Sequence, residues 1–326
     1  MYNATATVAE TLACIQAQTY RDWELVAVDD GSTDDTADRV EDLAAGDDRI
    51  RVLRRPHQGI VGALNDGLQA CRHPLIARMD ADDLCRPNRL ALQVAAMDAD
   101  PTLGLVASRV AYGGDTATFQ GFSLFVDWTN DLLTPEEIAD NRFVESPLVH
   151  PTVLFRRELA TTHGGYRDGA FPEDYELWLR WLAVGVRMRK LPECLLTWRE
   201  RETRLTRTDP RYSVDAFYAV KAEYLARHLQ EQGHSEVVVW GAGRVSRKRA
   251  ELLLNHHIDI TAYVDIDPKK IGQVIHGRPV RDKTWLPQPG QCFVLAYVGS
   301  RGARVLIETY LQQRGYRPGV DYLLAA

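Results

Sequence analysis

At 326 residues, with 45% hydrophobic and 26% charged residues, the chain has the composition of a globular protein of two domains. Its formal net charge of −6 supplies no basic field, which argues against nucleic acid or an anionic membrane as the main partner. The five cysteines, Cys14, Cys71, Cys85, Cys194 and Cys292, are odd in number and widely spaced, which argues against a disulfide framework or a zinc site and fits a reducing compartment. No apolar run approaches the ~20 residues of a membrane span, and the start lacks the regions of a signal peptide. The expectation is a cytoplasmic protein, with peripheral contact at the inner face of the plasma membrane left open.

Val8, Leu12 and Ile15 recur at helical spacing, so residues 5–18 read as an amphipathic helix. Glu24–Val28 reads as a strand running into Asp29-Asp30-Gly31-Ser32. Ser32 to Asp35 suggests a capping box for a helix through Val40 and Leu43. A strand at Ile50–Leu53, a helix carrying Ile60, Leu64 and Leu68, and a strand at Pro74–Met79 follow, the last ending in Asp80-Ala81-Asp82-Asp83. Pro87 suits the first turn of a helix carrying Leu90, Val94 and Met97. Alternation of this kind predicts a mostly parallel sheet covered on both faces, with ligands at the carboxyl ends of its strands. Residues 113–146 break the pattern and read as an irregular lid or binding loop. Thr152–Phe155 resumes as a strand, Tyr175–Leu182 reads as a helix after Pro172-Glu173-Asp174, and a long helix runs from Tyr212 to about Gln230. A linker at Gln232–Ser235 then leads into a second α/β unit. Its strands are Val237–Val239, Ile260–Val264 and Phe293–Val298, with a tight turn at Gly241-Ala242-Gly243.

Three acidic clusters stand out, and each alone has an ordinary explanation. Asp80 and Asp82, spaced i and i+2 after a strand, can approach one hard cation, and Mg²⁺ or Mn²⁺ prefers such oxygen ligands; a solvated acidic turn would look the same. Asp30 at a strand end can accept from a base N–H or a ribose hydroxyl; turn chemistry places Asp there too. Glu173-Asp174 could supply a general base, or serve only the dipole of its helix.

Together the clusters, in this order, resemble the family 2 glycosyltransferases, which adopt the GT-A nucleotide-diphospho-sugar transferase fold, an α/β architecture on a Rossmann-like mixed sheet. The matching segments are Tyr2-Asn3-Ala4, Gln18–Leu25, Asp29–Asp34, Asn65-Asp66-Gly67, Met79–Asp83 with Pro87, and Glu173–Arg180. The resemblance runs from residue 1 to about 205. It implies that Tyr2 stacks on the nucleotide base and Asp30 binds the base N–H of a uridine or thymidine donor. It further implies that Asp82 holds Mn²⁺ or Mg²⁺, that Asp80 meets the ribose or the metal, and that Asp174 is the catalytic base with Glu173 positioning it or the acceptor. Among the arginines after Trp198, Arg199 is the first candidate for the donor diphosphate, then Arg201 or Arg207. The expected partners are a nucleotide-sugar and a glycan or lipid-linked acceptor, with no nucleic acid. The expected reaction is a single displacement with inversion, in cell-surface polysaccharide, lipopolysaccharide or glycoprotein glycan synthesis.

Two features depart from the family pattern. The family opens with an apolar strand ending in Pro-x-Tyr-Asn, whereas this sequence opens at Met1-Tyr2-Asn3; the expectation is that this strand is missing from the chain as given. The expected domains are 1–232, the GT-A unit, and 234–326, a small Rossmann-like unit. In the latter, Gly241, Gly243 and Asp265 match part of a dinucleotide fingerprint, but Ser246 replaces its third glycine. A nucleotide-binding relic or an interaction module is favoured there over a dehydrogenase. The alternative for the whole chain is a catalytically silent nucleotide-sugar sensor or scaffold, against which the intact Asp82 and Asp174 argue.

Overall fold

The computed structural model describes residues 1–114, 120–200, 204–300 and 302–326. They divide into two units: Met1–Ile138 with Pro147–Asp209, and Ala139–Ser146 with Pro210–Ala326.

The first unit begins with α1 (Val8–Gln16), β1 (Leu25–Asp29), α2 (Thr36–Leu43), β2 (Ile50–Arg54) and α3 (Ile60–Ala70). It continues with β3 (Leu75–Ala77), β4 (Leu84–Cys85), α4 (Arg89–Ala99), β5 (Leu103–Tyr112), α5 (Gln120–Asp131) and α6 (Pro135–Asn141). After these come β6 (Leu154–Arg156), α7 (Arg157–Thr162), α8 (Glu173–Ala183), β7 (Arg187–Trp198) and α9 (Leu205–Thr208). β1 and β2 pair in parallel, from Leu25 opposite Ile50 to Asp29 opposite Arg54. The other strands form a five-stranded sheet in the order β3-β6-β5-β7-β4. Only β5 and β7 run parallel within it; β3–β6, β5–β6 and β4–β7 are antiparallel. The sheet is therefore mixed, where strand–helix alternation alone predicted a mostly parallel one. β5 is central, and its first six residues are buried, as a strand covered on both faces requires.

The main core joins Leu105, Ala107 and Phe155 of the sheet to Leu177, Trp178 and Trp181 of α8. The rings of Trp178 and Trp181 meet edge to face at 5.9 Å between centroids. α8 is buried at every position from Tyr175 to Trp181, charged residues included. Glu176 and Arg180, one turn apart, pair at 2.9 Å, and Arg180 also donates to the carbonyls of Gly164 and Gly165 at 2.8 and 2.7 Å. This fully satisfied pair fixes the turn that precedes Tyr166. From the other side, Asn65 on α3 clamps the Tyr166 backbone: its Nδ2 donates to Tyr166 O at 2.9 Å, and its Oδ1 accepts the Tyr166 N–H at 3.0 Å.

Two local expectations are corrected. Residues 113–146 are not an irregular lid, because α5 and α6 occupy much of the stretch. Phe122 and Phe125 of α5 pack against the Trp198 ring at 5.8 and 6.4 Å, so aromatic contact holds a helix that glycine and threonine disguise in the sequence. Ser32 does not cap α2 either. Asp34 accepts the Thr36 N–H at 3.1 Å, and Ser32 Oγ accepts the Asn3 N–H at 3.0 Å.

The second unit comprises α10 (Val214–Glu231), β8 (Glu236–Trp240), α11 (Arg244–Ala250), β9 (Asp259–Asp265), β10 (Val274–Ile275), β11 (Arg278–Asp282), β12 (Val294–Ala296), α12 (Ala303–Gln313) and β13 (Tyr322–Leu324). Its six strands lie in the order β10-β11-β9-β8-β12-β13. All neighbours run parallel except β10–β11. The chain order reverses between β8 and β12, the switch point of a doubly wound sheet. Among the described residues, no helix is long and apolar enough to cross a membrane.

Replacing Asn65 by Ala leaves the Tyr166 N–H and carbonyl without their clamp. The expected loss is about 1–3 kcal/mol of unfolding free energy, read from urea midpoints at constant slope.

Candidate active site

Strand ends set the first part of the site. β1 delivers Asp29 and Asp30 to its carboxyl end, where Gly31 takes φ +74° and lies so close to His57 N that a Cβ there would stand 2.7 Å away. Asp30 is buried. Its carboxylate accepts the N–H groups of Gln58 at 3.1 Å and Gly59 at 2.9 Å, and it faces Arg55 at 3.4 Å and His57 Nδ1 at 2.9 Å. Asp66 on α3 holds Arg55 there at 2.8 Å. The chain start covers this loop: Thr33 N–H donates to Asn3 Oδ1 at 2.9 Å, and Ala4 N–H donates to Thr36 Oγ1 at 2.7 Å. Tyr2 stays half exposed, its ring stacked on His57 at 4.3 Å and 27°. Tyr2 and Asp30 are thus neighbours, joined through His57.

β3 leads to the second part. Asp80, Asp82 and Asp83 place carboxylate oxygens within 4.8 Å of one another, the one such group of three found among the described residues. Burial pushes the Asp80 carboxyl up, but its ion pair with Arg78 outweighs this and holds it below the usual range. Asp83 goes the other way: burial, then the charges of Asp80 and Asp82, raise it well above that range. Asp83 Oδ1 accepts the Arg199 N–H at 2.8 Å, while its buried Oδ2 has no hydrogen-bond partner. Converging carboxylates with one raised proton affinity and one unmet buried oxygen suit a hard divalent cation. The residues therefore fit Mn²⁺ or Mg²⁺.

Arg78 joins this cluster to the third. It is paired with Asp80, and its charge also acts on Asp174, Tyr166 and His150. Asp174 opens α8 beside buried Glu173. Burial, then the neighbouring Glu173 carboxylate, push Asp174 up to about 7, although the Tyr175 N–H donates to its Oδ1 at 2.7 Å. Such a carboxyl is a stronger base than an ordinary aspartate and is partly ionised near neutral pH. His150 lies 2.7 Å from the Tyr166 hydroxyl, with its ring edge-on to Trp178 at 5.8 Å. Burial and Arg78 keep this imidazole well below its ordinary pKa, hence neutral.

The basic segment after β7 sorts its arginines. Arg199 gives its backbone N–H to Asp83 and pairs its guanidinium with Glu10. Arg207 pairs with Glu200 at 2.7 Å, and Arg201 lies outside the described residues. Arg204 stacks over the Trp198 ring at 4.1 Å, and its charge reaches Asp80 and Asp83. Sequence reasoning thus passed over Arg78, Asp83, Tyr166 and Arg204 as site residues. Asp83 could have been found from its place in the acidic run; the other three carry no spacing signal.

In the second unit, Gly241 has φ +125°, and a Cβ there would press on Ser246 and Val298 at 3.1 Å. Asp265 Oδ2 accepts the Ala242 N–H at 2.9 Å, and Oδ1 accepts those of Ile266 and Asp267 at 2.9 and 3.0 Å. Lys270 Nζ approaches at 3.1 Å. Gly241 and Asp265 therefore meet at one turn, with the carboxylate engaged in holding it; Gly243 caps α11.

The model of the family described as glycosyl transferase family 2 matches residues 1–164. EpsE of Bacillus subtilis, which carries a glycosyltransferase name, is 31% identical over 221 residues, or 66% of this chain and 76% of its own. The UDP-Gal:alpha-D-GlcNAc-diphosphoundecaprenol beta-1,3-galactosyltransferase of Escherichia coli is 28% identical over 69% of this chain and 80% of its own. Among solved structures, TarS residues 1–349 of S. aureus in complex with UDP-GlcNAc superposes with a TM-score of 0.55 at 18% identity, covering 79% of this chain and 70% of that one. That likeness shows the GT-A fold.

An Asp174→Asn variant isolates the cost of burying this charge. A carboxyl raised to about 7 favours the folded state while protonated, and the stability it confers is lost as pH rises through about 7. The variant should match the parent near pH 4 and exceed it by about 1–3 kcal/mol at pH 8, measured by urea unfolding at each pH.

Proposed function

The chain belongs to glycosyl transferase family 2, and from that premise we propose that it is an inverting enzyme moving a sugar from a UDP- or dTDP-sugar to an acceptor hydroxyl of a glycan or lipid-linked glycan. The observation that carries this reading is Arg78, one largely buried cation acting on both Asp80 and Asp174. It brings the donor-binding and proton-accepting groups into one electrostatic neighbourhood.

Each group has a role that its surroundings support. Asp30, at the end of β1, would accept from the base N–H, and half-exposed Tyr2 would offer a ring face to the base. Asp80, Asp82 and Asp83 would hold Mn²⁺ or Mg²⁺, which supplies Lewis acidity toward the leaving diphosphate. Arg204, fixed on the Trp198 ring, offers a guanidinium suited to phosphate oxygens on the same side. Asp174 takes the proton of the attacking hydroxyl, and burial, with Glu173 beside it, keeps its pKa high enough for that task. A single base opposite the leaving group implies one displacement, inversion and an oxocarbenium-like transition state. The galactosyltransferase relative is named for a diphosphoundecaprenol-linked substrate, which supports a lipid-linked acceptor and peripheral contact with the membrane that carries it.

The first test is nucleotide release with Mn²⁺ from a panel of UDP-, dTDP- and GDP-sugars. One donor should be hydrolysed slowly without acceptor, with loss on Asp82→Asn and on Asp174→Asn, and with activity falling as pH drops through about 7. No release from any donor, with nucleotide binding intact, would instead favour a sensor or scaffold. A second test compares Arg204→Met with Arg199→Met. Loss of a diphosphate contact should weaken donor binding roughly tenfold or more, about 1.4 kcal/mol, in the first variant. The Arg199 variant keeps its backbone bond to Asp83 and should bind nearly as the parent does, as read by calorimetry with the nucleoside diphosphate.

A further inference from the structure

Two thiols touch beside the acidic loop. Cys14 lies on α1 and Cys85 on β4, and their Sγ atoms are 3.3 Å apart. The Cys85 N–H donates to Cys14 Sγ at 3.2 Å, and Gln18 Nε2 donates to Cys85 Sγ at 3.3 Å. A disulfide needs about 2.05 Å between sulfurs, so the pair stands about 1.3 Å from bonding distance. Both are free thiols, Cys85 buried and Cys14 half-buried, within reach of a small reagent. Thr11 of α1 and Gln18, just past the helix end, grip the loop on either side of Cys85: Thr11 Oγ1 donates to Asp83 O at 2.9 Å and Gln18 Nε2 to Arg86 O at 2.8 Å. The Cys85 thiol, against the effect of burial and aided by the Cys85 N–H, brings the Cys14 thiol down to about 7, which makes Cys14 the attacking partner.

We propose that Cys14 and Cys85 are a reversible redox modification site, closing to a disulfide on reaction with a low-molecular-weight disulfide and thereby drawing the Asp80–Asp83 loop against α1. The Cys14 thiolate attacks one sulfur of the reagent, forms a mixed disulfide and expels one small thiolate. Cys85 then gives up its proton and attacks Cys14 Sγ, expelling the second small thiol. Two protein thiols are oxidised, and one small disulfide is reduced to two thiols. A reducing compartment keeps the pair open, and an oxidative shift closes it. The linkage stands whatever the acidic loop binds; its effect on catalysis rests on the donor-site reading above.

The test treats the full chain with oxidised glutathione, counts thiols after denaturation, and maps linked peptides by mass spectrometry. Exposed Cys194 serves as the internal control that the reagent is active. The expected product links Cys14 to Cys85, and dithiothreitol reverses it. Cys85→Ala should stall as a glutathione adduct on Cys14, whereas Cys14→Ala should leave Cys85 unmodified. Recovery of both cysteines as free thiols while Cys194 has reacted would overturn the proposal, as would linkage to any other cysteine. Manganese-dependent nucleotide release should fall severalfold in the oxidised parent and hold in treated Cys85→Ala. Linkage without that fall would overturn the coupling to the loop. A reduced parent that releases no nucleotide, yet forms the linkage, would count against the transferase reading and not against the thiol pair.

Discussion

One largely buried cation organises the acidic sites of the first unit. Arg78 follows β3 directly, and its pairing with Asp80 offsets the desolvation that both groups suffer. Because the same charge acts on Asp174, Tyr166 and His150, it ties the end of a sheet strand to the start of a helix remote in sequence. Without that cation, the like charges within each cluster, Asp80, Asp82 and Asp83 on one side and Glu173 with Asp174 on the other, would lose a compensating positive charge in a poorly solvated space, where like charges are costly. Asp80, Asp83 and Asp174 all feel burial; Asp80 is held low by its pairing with Arg78, while the like charges of Asp80 and Asp82 beside Asp83, and of Glu173 beside Asp174, add to burial and raise those two. Groups pushed apart in this way can divide the work of binding and proton transfer.

The frame around Arg78 is built from contacts of different kinds. α3 contributes on two sides: Asn65 clamps the Tyr166 backbone, and Asp66 presses Arg55 toward Asp30. α8 contributes through the tryptophan pair and through Arg180, which stitches the turn before Tyr166 to Glu176. α1 contributes through Thr11 and Cys14, and Gln18 just beyond its end adds a third contact; together they hold Asp83, Cys85 and Arg86. These contacts fix the loops that carry Asp30 and Asp80–Asp83 and the turn before Tyr166, while the third acidic pair, Glu173-Asp174, opens α8 itself.

Much of this was legible in the sequence, and the boundary is instructive. The acidic clusters could be read because carboxylates at strand ends and at a helix start are local features, and their order carried the family resemblance. The role of Asn65-Asp66-Gly67 was visible only as a motif, since its partners Tyr166 and Arg55 lie in other elements. Arg78 was unreadable for the same reason: its meaning comes from what β3 and α8 bring together, not from its neighbours in the chain. α5 was missed because its stability comes from Phe122 and Phe125 lying on Trp198, a tertiary contact that local propensity does not report. In the second unit, Gly241 and Asp265 were recognised as belonging together, and they do meet. That Asp265 would be occupied by backbone N–H groups could not be inferred from spacing.

The unbroken burial of α8 from Tyr175 to Trp181 has a bearing on how such a protein diversifies. A helix packed on every side cannot tilt or slide without opening a cavity or straining its neighbours. Asp174, in its first turn, therefore inherits the rigidity of the core rather than the adaptability of a loop. Accommodating acceptors of different shape must fall to segments outside that core. The chemistry and the recognition are in this way separable by inheritance: one is locked into the most constrained element of the unit, and the other is free to drift around it.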